Sequence, residues 1–241
     1  ILWSIWGGLN DAVRARRDVI NMNVTDFSFG GLAGEMTSGV DGGRLREQMK
    51  NNVIEMQESF SAIEKCRLPV LVAVQGGCIG GGVDLVSATD MRYCTEDAFF
   101  CIQEINIGMT ADVGTLQRLP HLIPSGLVRE LAYTGRRMMA AEAQEAGLVN
   151  AVYKTADEMV SGVLKIAAEI ASKSPLAING TKEMLNYTRD HSVDDALRYM
   201  AVWQAGMFFS NDLFEAAKAN AEKRPPVFED MLAPKKLVRR K

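Results

Sequence analysis

An α/β fold with a helical C-terminal half is predicted, on three observations. An apolar stretch from Leu68 to Val74 runs into Gly76-Gly77-Cys78-Ile79-Gly80-Gly81-Gly82 and then into the helix-like Val83 to Ala88. Two short apolar segments, Met91-Arg92-Tyr93-Cys94 and Ala98-Phe99-Phe100-Cys101-Ile102, follow at once. Beyond Asp112 the pattern becomes helical, with a start signal before most helices. Strands that alternate with helices pair in parallel through right-handed crossovers. The expected division is an α/β core over 1–134 and a helical region over 135–241. No internal repeat or low-complexity segment is visible.

Each element has its own reason. Leu9 to Arg16 has a short helical pattern, and Asp18 to Val24 reads as a strand that Phe27-Ser28-Phe29-Gly30-Gly31 ends. Residues 32–43 are rich in Gly, Ser and Thr and read as a loop. Leu45 to Lys65 places Met49, Val53, Ile54, Met56, Phe60 and Ile63 at amphipathic spacing. Pro69 opens the strand Val70 to Val74. Ala140 to Ala146 is a helix that Gly147 stops. Thr155-Ala156-Asp157-Glu158 is a capping box for a helix reaching Ser172. Ser174-Pro175 starts the next with Pro at its first position. Ser192 caps Val193 to Phe209, and Asn211 to Lys223 ends at Arg224-Pro225-Pro226. Trp203, Met207, Phe208, Phe209 and Phe214 are either core or an oligomer contact.

Composition narrows the function. The 241 residues are 47% hydrophobic and 24% charged, long enough for a sizeable core. A net charge of −3 offers no basic field for nucleic acid. No apolar run approaches the ~20 residues that span a bilayer, so no membrane partner is expected. Cys66, Cys78, Cys94 and Cys101 form no CxxC pair and sit in or beside apolar stretches, as buried thiols in a reducing compartment do. His121 and His191 have no companions at ligand spacing, so neither a metal site nor a His-based triad is expected. The start, Ile1-Leu2-Trp3-Ser4-Ile5-Trp6, reads as internal sequence rather than a signal peptide.

Three carboxylates, Asp84, Glu104 and Asp112, carry the chemistry when read with the glycine run. The run is not G-x-G-x-x-G and no P-loop Lys-Ser/Thr follows it. It is either a tight turn or a donor of backbone N–H groups to an oxyanion at a helix start. Phe27 to Gly31 is either a strand end or the second donor of such a hole. Two donors can each lower a barrier by about 3 kcal/mol. Asp84 lies at an inferred helix start, where an acid is favoured for the dipole alone. Glu104 interrupts the apolar stretch Phe99 to Ile107, so it either faces solvent or is held in a pocket that raises its pKa. Asp112, after Gly108-Met109-Thr110-Ala111, is either the N-cap of the next helix or a third functional acid. Acids near an anion hole suit proton transfer beside a carbonyl.

With Gly76 to Asp90, the run from Phe99 to Pro120 (Phe-Phe-Cys-Ile-Gln-Glu-Ile-Asn-Ile-Gly-Met-Thr-Ala-Asp-Val-Gly-Thr-Leu-Gln-Arg-Leu-Pro) resembles the crotonase (enoyl-CoA hydratase/isomerase) superfamily. The similarity is clear from about Phe60 to Asp190. The subgroup it resembles is the Δ3,5-Δ2,4-dienoyl-CoA isomerases, whose three acids fall here on Asp84, Glu104 and Asp112. Hydratases carry glutamates at the first two positions and usually a glycine at the third. The resemblance implies a ClpP-like spiral of ββα units with a C-terminal helical trimerisation region. It implies an isomerase that moves the double bonds of a 3,5-dienoyl-CoA to 2,4-dienoyl-CoA. It gives Gly31 and Gly81 as the oxyanion hole, Asp112 as the group that removes a C2 proton and Glu104 as the group that returns one at C6. Asp84 lines the pocket and tunes its charge. CoA enters as part of the substrate and no cofactor is implied. The partners implied are an acyl-CoA thioester and further copies of the chain, as a homotrimer or hexamer. The compartment implied is cytoplasmic in a bacterium, mitochondrial or peroxisomal in a eukaryote. The alternatives are an enoyl-CoA hydratase, a Δ3-Δ2 enoyl-CoA isomerase or a non-catalytic acyl-CoA-binding subunit.

Two details bear on that choice. Asp at 84 retreats by roughly 1.5 Å relative to Glu, and catalytic geometry tolerates such displacements badly. The family segment Phe-x-x-Gly-x-Asp-Leu has Gly31-Leu32-Ala33 here, without the Asp.

Overall fold

The computed structural model describes residues 2–4 and 41–232. The expected helix at 9–16, the strand at 18–24 and Gly31 lie outside the described residues. Two compact units are present. Among the described residues from 41 onward, the first takes in 41–66 and 70–164, the second 67–69 and 165–232.

The first unit is built by one motif used twice. β2 (Val70–Val74), β3 (Gly77–Ile79) and α2 (Gly81–Ser87) make the first ββα turn. β4 (Met91–Thr95) and β5 (Phe99–Cys101) begin the second. β2 pairs parallel with β4, with Leu71 beside Met91, while β3 pairs parallel with β5, with Gly77 beside Phe99. Each later strand thus lies beside its predecessor, twenty residues on in one sheet and twenty-two in the other. The first strand of each turn goes to one sheet and the second strand to the other.

The sheets are completed from further along the chain. The four-stranded sheet has the order β1-β2-β4-β7, with β1 at Leu2–Ser4 and β7 at Ala151–Tyr153 parallel to β4. The three-stranded sheet is β3-β5-β6, with β6 (Met138–Met139) antiparallel to β5. All five residues of β2 are buried, as a two-sided strand requires. Leu71, Cys94, Leu119, Met138 and Leu148 have almost no exposure, and burying a large apolar side chain contributes about 1.5–3 kcal/mol. Neither β6 nor β7 was expected from sequence. Two- and three-residue strands are too short to show alternation.

α1 (Gly42–Glu64) precedes β2. It starts three residues before the expected Leu45, because the Asp41 carboxylate accepts from Arg44 N–H at 3.0 Å and caps the first turn. Met49 and Ile54 do not join its inner face and are 38% and 45% exposed. α3 (Thr115–Arg118) and α4 (Ser125–Thr134) follow the second turn, and α5 (Ala140–Glu145) ends before Gly147, whose φ is +84°.

α6 (Ala156–Ala171) carries the division between the units, and its Glu158 N–H is accepted by Thr155 Oγ1 at 3.2 Å. The second unit has α7 (Pro175–Thr188), α8 (Val193–Met207) and α9 (Asn211–Ala221). Ser174, Ser192 and Ser210 cap them through their side chains. Trp203 lies against Gly180, where a Cβ would stand 2.5 Å from its indole nitrogen, so glycine lets α7 and α8 approach. Among the described residues no helix is long and apolar enough to cross a membrane, and no group of metal-ligating side chains is present.

Candidate active site

The site grows out of the ends of β3 and β5. Gly80 follows β3 with φ +53° and ψ −120°, a conformation open to glycine. Its N–H donates to Cys101 O at 2.9 Å, so the two strands end together. α2 begins at once, and the Gly81 N–H falls in its first turn, where helix geometry offers no acceptor. This is where one donor of the expected oxyanion hole stands. The other, Gly31, lies outside the described residues.

Asp84 sits in the first turn of α2, as expected, but it is fully buried. Its Oδ1 accepts from Thr115 N–H at 2.6 Å. Its Oδ2 is buried without a hydrogen-bond partner among the described residues. Burial pushes its pKa up, the Thr115 hydrogen bonds pull it down, and the charge of Asp112 pushes it up again.

Glu104 opens a 3₁₀ turn, Glu104–Ile107, three residues beyond β5. Gly108 closes the turn at φ +77°. The Glu104 side chain is half-buried, and its Oε2 has no hydrogen-bond partner among the described residues. Burial raises its pKa first, and the charges of Asp84 and Asp112 raise it further. The side chain is turned inward far enough to bury Oε2.

Asp112 is not a helix cap, because the N-cap of α3 is Gly114. It lies in an irregular stretch after the 3₁₀ turn and is half-buried. Its carbonyl accepts from Gln57 Nε2 at 2.7 Å. The charge of Asp112 is felt at both Asp84 and Glu104, and that of Asp84 at Glu104, so the three carboxylates lie within electrostatic reach in one neighbourhood. One spiral step separates the first two. The twenty residues between Asp84 and Glu104 match the step between neighbouring strands.

Sequence reasoning missed the supporting side chains. Arg118 donates to Val113 O at 3.3 Å and to Ser61 Oγ at 3.1 Å, and it pairs with Glu64 at 2.9 Å. The signal was available: Gln57, Ser61 and Glu64 recur at i, i+4 and i+7 on the half-buried face of α1.

The thiols take no visible part. Burial pushes Cys78 up to about 12 and Cys94 up to about 11, far from the thiolate form.

Comparison with known proteins places this arrangement. Residues 19–231 match the family described as enoyl-CoA hydratase/isomerase. This chain belongs to that family. The crotonase-family fold is shared with an enoyl-CoA hydratase from Bacillus anthracis at 31% identity and a TM-score of 0.72, covering 79% of this chain and 72% of the other. Among curated family members, the mitochondrial Delta(3,5)-Delta(2,4)-dienoyl-CoA isomerase of Mus musculus is 50% identical over 188 residues. That alignment covers 78% of this chain and 58% of the mouse protein, so the chain spans little more than half of that relative. The peroxisomal enzyme of the same name from Arabidopsis thaliana is 46% identical over 201 residues, covering 83% of this chain and 72% of the relative. The carnitinyl-CoA dehydratase of Salmonella paratyphi A is 36% identical over 165 residues, covering 67% and 63%.

Proposed function

We propose that this family member isomerises 3,5-dienoyl-CoA to 2,4-dienoyl-CoA. The observation that carries the reading is the gathering of three acids, two of them with a buried oxygen unpaired among the described residues, beside the glycine-opened start of α2. The thioester oxygen accepts from Gly81 N–H, with Gly31 as the second donor. That polarises the carbonyl and acidifies C2. Ionised Asp112 takes a C2 proton, and the electron pair spreads through the diene as a dienolate. Protonated Glu104 gives its proton to C6, and the double bonds settle at C2 and C4. Burial favours the protonated form of Glu104, as a proton donor needs. Asp84 is tied to Thr115 N–H and acts by holding the loop and setting local charge. The feature that argues against the hydratase reading, in which the acid at 84 must share a water with Glu104, is that Asp84 is one methylene shorter than the hydratases' glutamate.

CoA is carried in as part of the substrate, and the chemistry described needs no cofactor. The chain assembles as a homotrimer or hexamer through the helices of 135–241, with 1–134 supplying the site. It works in the cytoplasm of a bacterium, or in the mitochondrion or peroxisome of a eukaryote.

The test is an assay of the purified protein with a 3,5-dienoyl-CoA and a 2-enoyl-CoA. Double-bond migration outpaces water addition, and Asp112→Asn and Glu104→Gln each slow it by about 10² or more. Faster hydration would move the assignment to the hydratases. A rate unchanged by both substitutions would mean that these acids are not the catalysts, and no turnover of either substrate would leave an acyl-CoA-binding subunit.

A further inference from the structure

We propose that Gln57 is the positioning residue for Asp112, and that the polar stripe of α1 exists to hold the loop that carries this acid. The inference rests on the reading of Asp112 as the group that removes the C2 proton. Its physical basis is separate from that reading. Asp112 sits in a stretch with no helix or strand of its own, between the 3₁₀ turn that ends at Ile107 and α3. A proton-transferring carboxylate must keep its place to within about 0.5 Å. The loop therefore needs restraint from outside, and three side chains supply it. Gln57 Nε2 donates to the carbonyl of Asp112 itself at 2.7 Å. Arg118 Nη1 donates to Val113 O at 3.3 Å. Asp84 Oδ1 accepts from Thr115 N–H at 2.6 Å.

Two of these three restraints lead back to one helix face. Gln57 is on α1, and so are Ser61 and Glu64, which hold Arg118. The Arg118 and Glu64 side chains are only 12% and 17% exposed, so their bridge is little screened by solvent. The inner face of α1 otherwise bears Val53, Met56, Phe60 and Ile63, all half-buried, which a helix needing only to pack would continue. Three polar side chains interleaved at i, i+4 and i+7 weaken that packing, and each bonds within 112–118 or holds the residue that does. Gln57 is uncharged, so it fixes the peptide next to the acid without adding a full charge beside a carboxylate.

The experiment compares Gln57→Leu, Gln57→Glu, Asp112→Asn and the double variant Gln57→Leu/Asp112→Asn in the full-length protein. Gln57→Glu keeps the volume and loses the donor, so it carries the test if Gln57→Leu folds poorly by circular dichroism. With a 3,5-dienoyl-CoA in D₂O, exchange at C2 is read separately from deuterium entry at C6. Loss of the tether lowers kcat and C2 exchange about 10- to 100-fold with KM within about twofold, the scale of a ~1 Å misplacement. In the Asp112→Asn background, Gln57→Leu brings no further loss, because the group it positions is already gone. A purely structural role would instead lower the residual rate by the same factor in both backgrounds, and that result overturns the proposal. So does a folded Gln57→Glu variant with wild-type kcat. If Asp112→Asn keeps the wild-type rate, the reading of Asp112 falls and takes this inference with it. If Asp112→Asn is inactive while both Gln57 variants are normal, the inference falls alone.

Discussion

Glu104 shows how a single side chain trades stability for chemistry. Its carboxyl is half-buried with one oxygen unpaired among the described residues, and burial beside two other acids raises its pKa above the ordinary 4.5. The folded state therefore holds this proton more tightly than the unfolded chain does. Below pH 4.5 the group is protonated in both states and its contribution is at its best. As pH rises through the ordinary value toward the raised one, the unfolded chain ionises first and stability declines. Glu104→Gln keeps the shape and removes the ionisation. The variant is expected to be more stable than the parent at pH 8 and close to it at pH 4, while losing activity. Denaturant midpoints at the two pH values read this directly. A Glu104→Gln protein less stable than its parent at pH 8 would mean that the buried carboxylate is better solvated than its surroundings imply. The stretch Phe99 to Ile107 had already marked Glu104 as the odd residue in an apolar run. Periodicity alone left open whether it faced water, because the 3₁₀ turn that aims it inward follows no two- or 3.6-residue pattern.

At the scale of elements, helix starts were the most legible feature, because caps are local chemistry. Ser174 with Pro175, Ser192, and Thr155 with Glu158 all sit at helix beginnings as the sequence indicated. The short strands were less legible. β3 lies inside the glycine run, where turn composition hides a three-residue ladder. The repeated ββα step leaves no sequence repeat either, since the two turns share only burial and strand position. The clamp around Asp112 was hidden for another reason: it joins α1 to a loop 55 residues away. Gly114 is where this clamp can be broken from the backbone. Its φ is +135°, and a Cβ there would lie 1.6 Å from Arg118 Nη1. Gly114→Ala must displace the guanidinium from Glu64 and Val113 as well as strain the chain. A buried pair broken on one side typically costs about 3–5 kcal/mol, and an unfavourable φ about 1–3. Because the arginine end can swing aside, the low end of the combined cost is expected: a loss of about 4 kcal/mol in urea unfolding, with kcat below the wild-type value at equal folded fraction. A Gly114→Ala protein of parental stability would show that the Arg118 bridge holds nothing.

For the whole molecule, the second unit carries a surface that a lone chain leaves uncovered. α8 has no buried residue over its fifteen positions. Val193, Leu197 and Met200 stand at i, i+4 and i+7 on it, with exposures of 70%, 62% and 38%. Val202 is 71% exposed, Phe209 79% and Phe214 58%. Sequence alone left the late aromatics between core and contact. The structure separates them, since Trp203 packs against Gly180 while Phe208, Phe209 and Phe214 stay open. A single exposed apolar residue needs no explanation, but the stripe of Val193, Leu197 and Met200 along one face of α8 marks a binding surface. The occupant consistent with the proposed assembly is another copy of the chain. Val193→Glu combined with Leu197→Glu places charge on that stripe without touching the three acids or the α1 stripe. In sedimentation velocity at micromolar protein, the parent is expected to run as a trimer or hexamer and the double variant as a monomer that keeps its helical signal. Because the three acids and the side chains that clamp the Asp112 loop all come from 57–118, the variant tests assembly apart from chemistry. A parent that sediments as a monomer, or a double variant that sediments with its parent, would assign this face to something other than self-association.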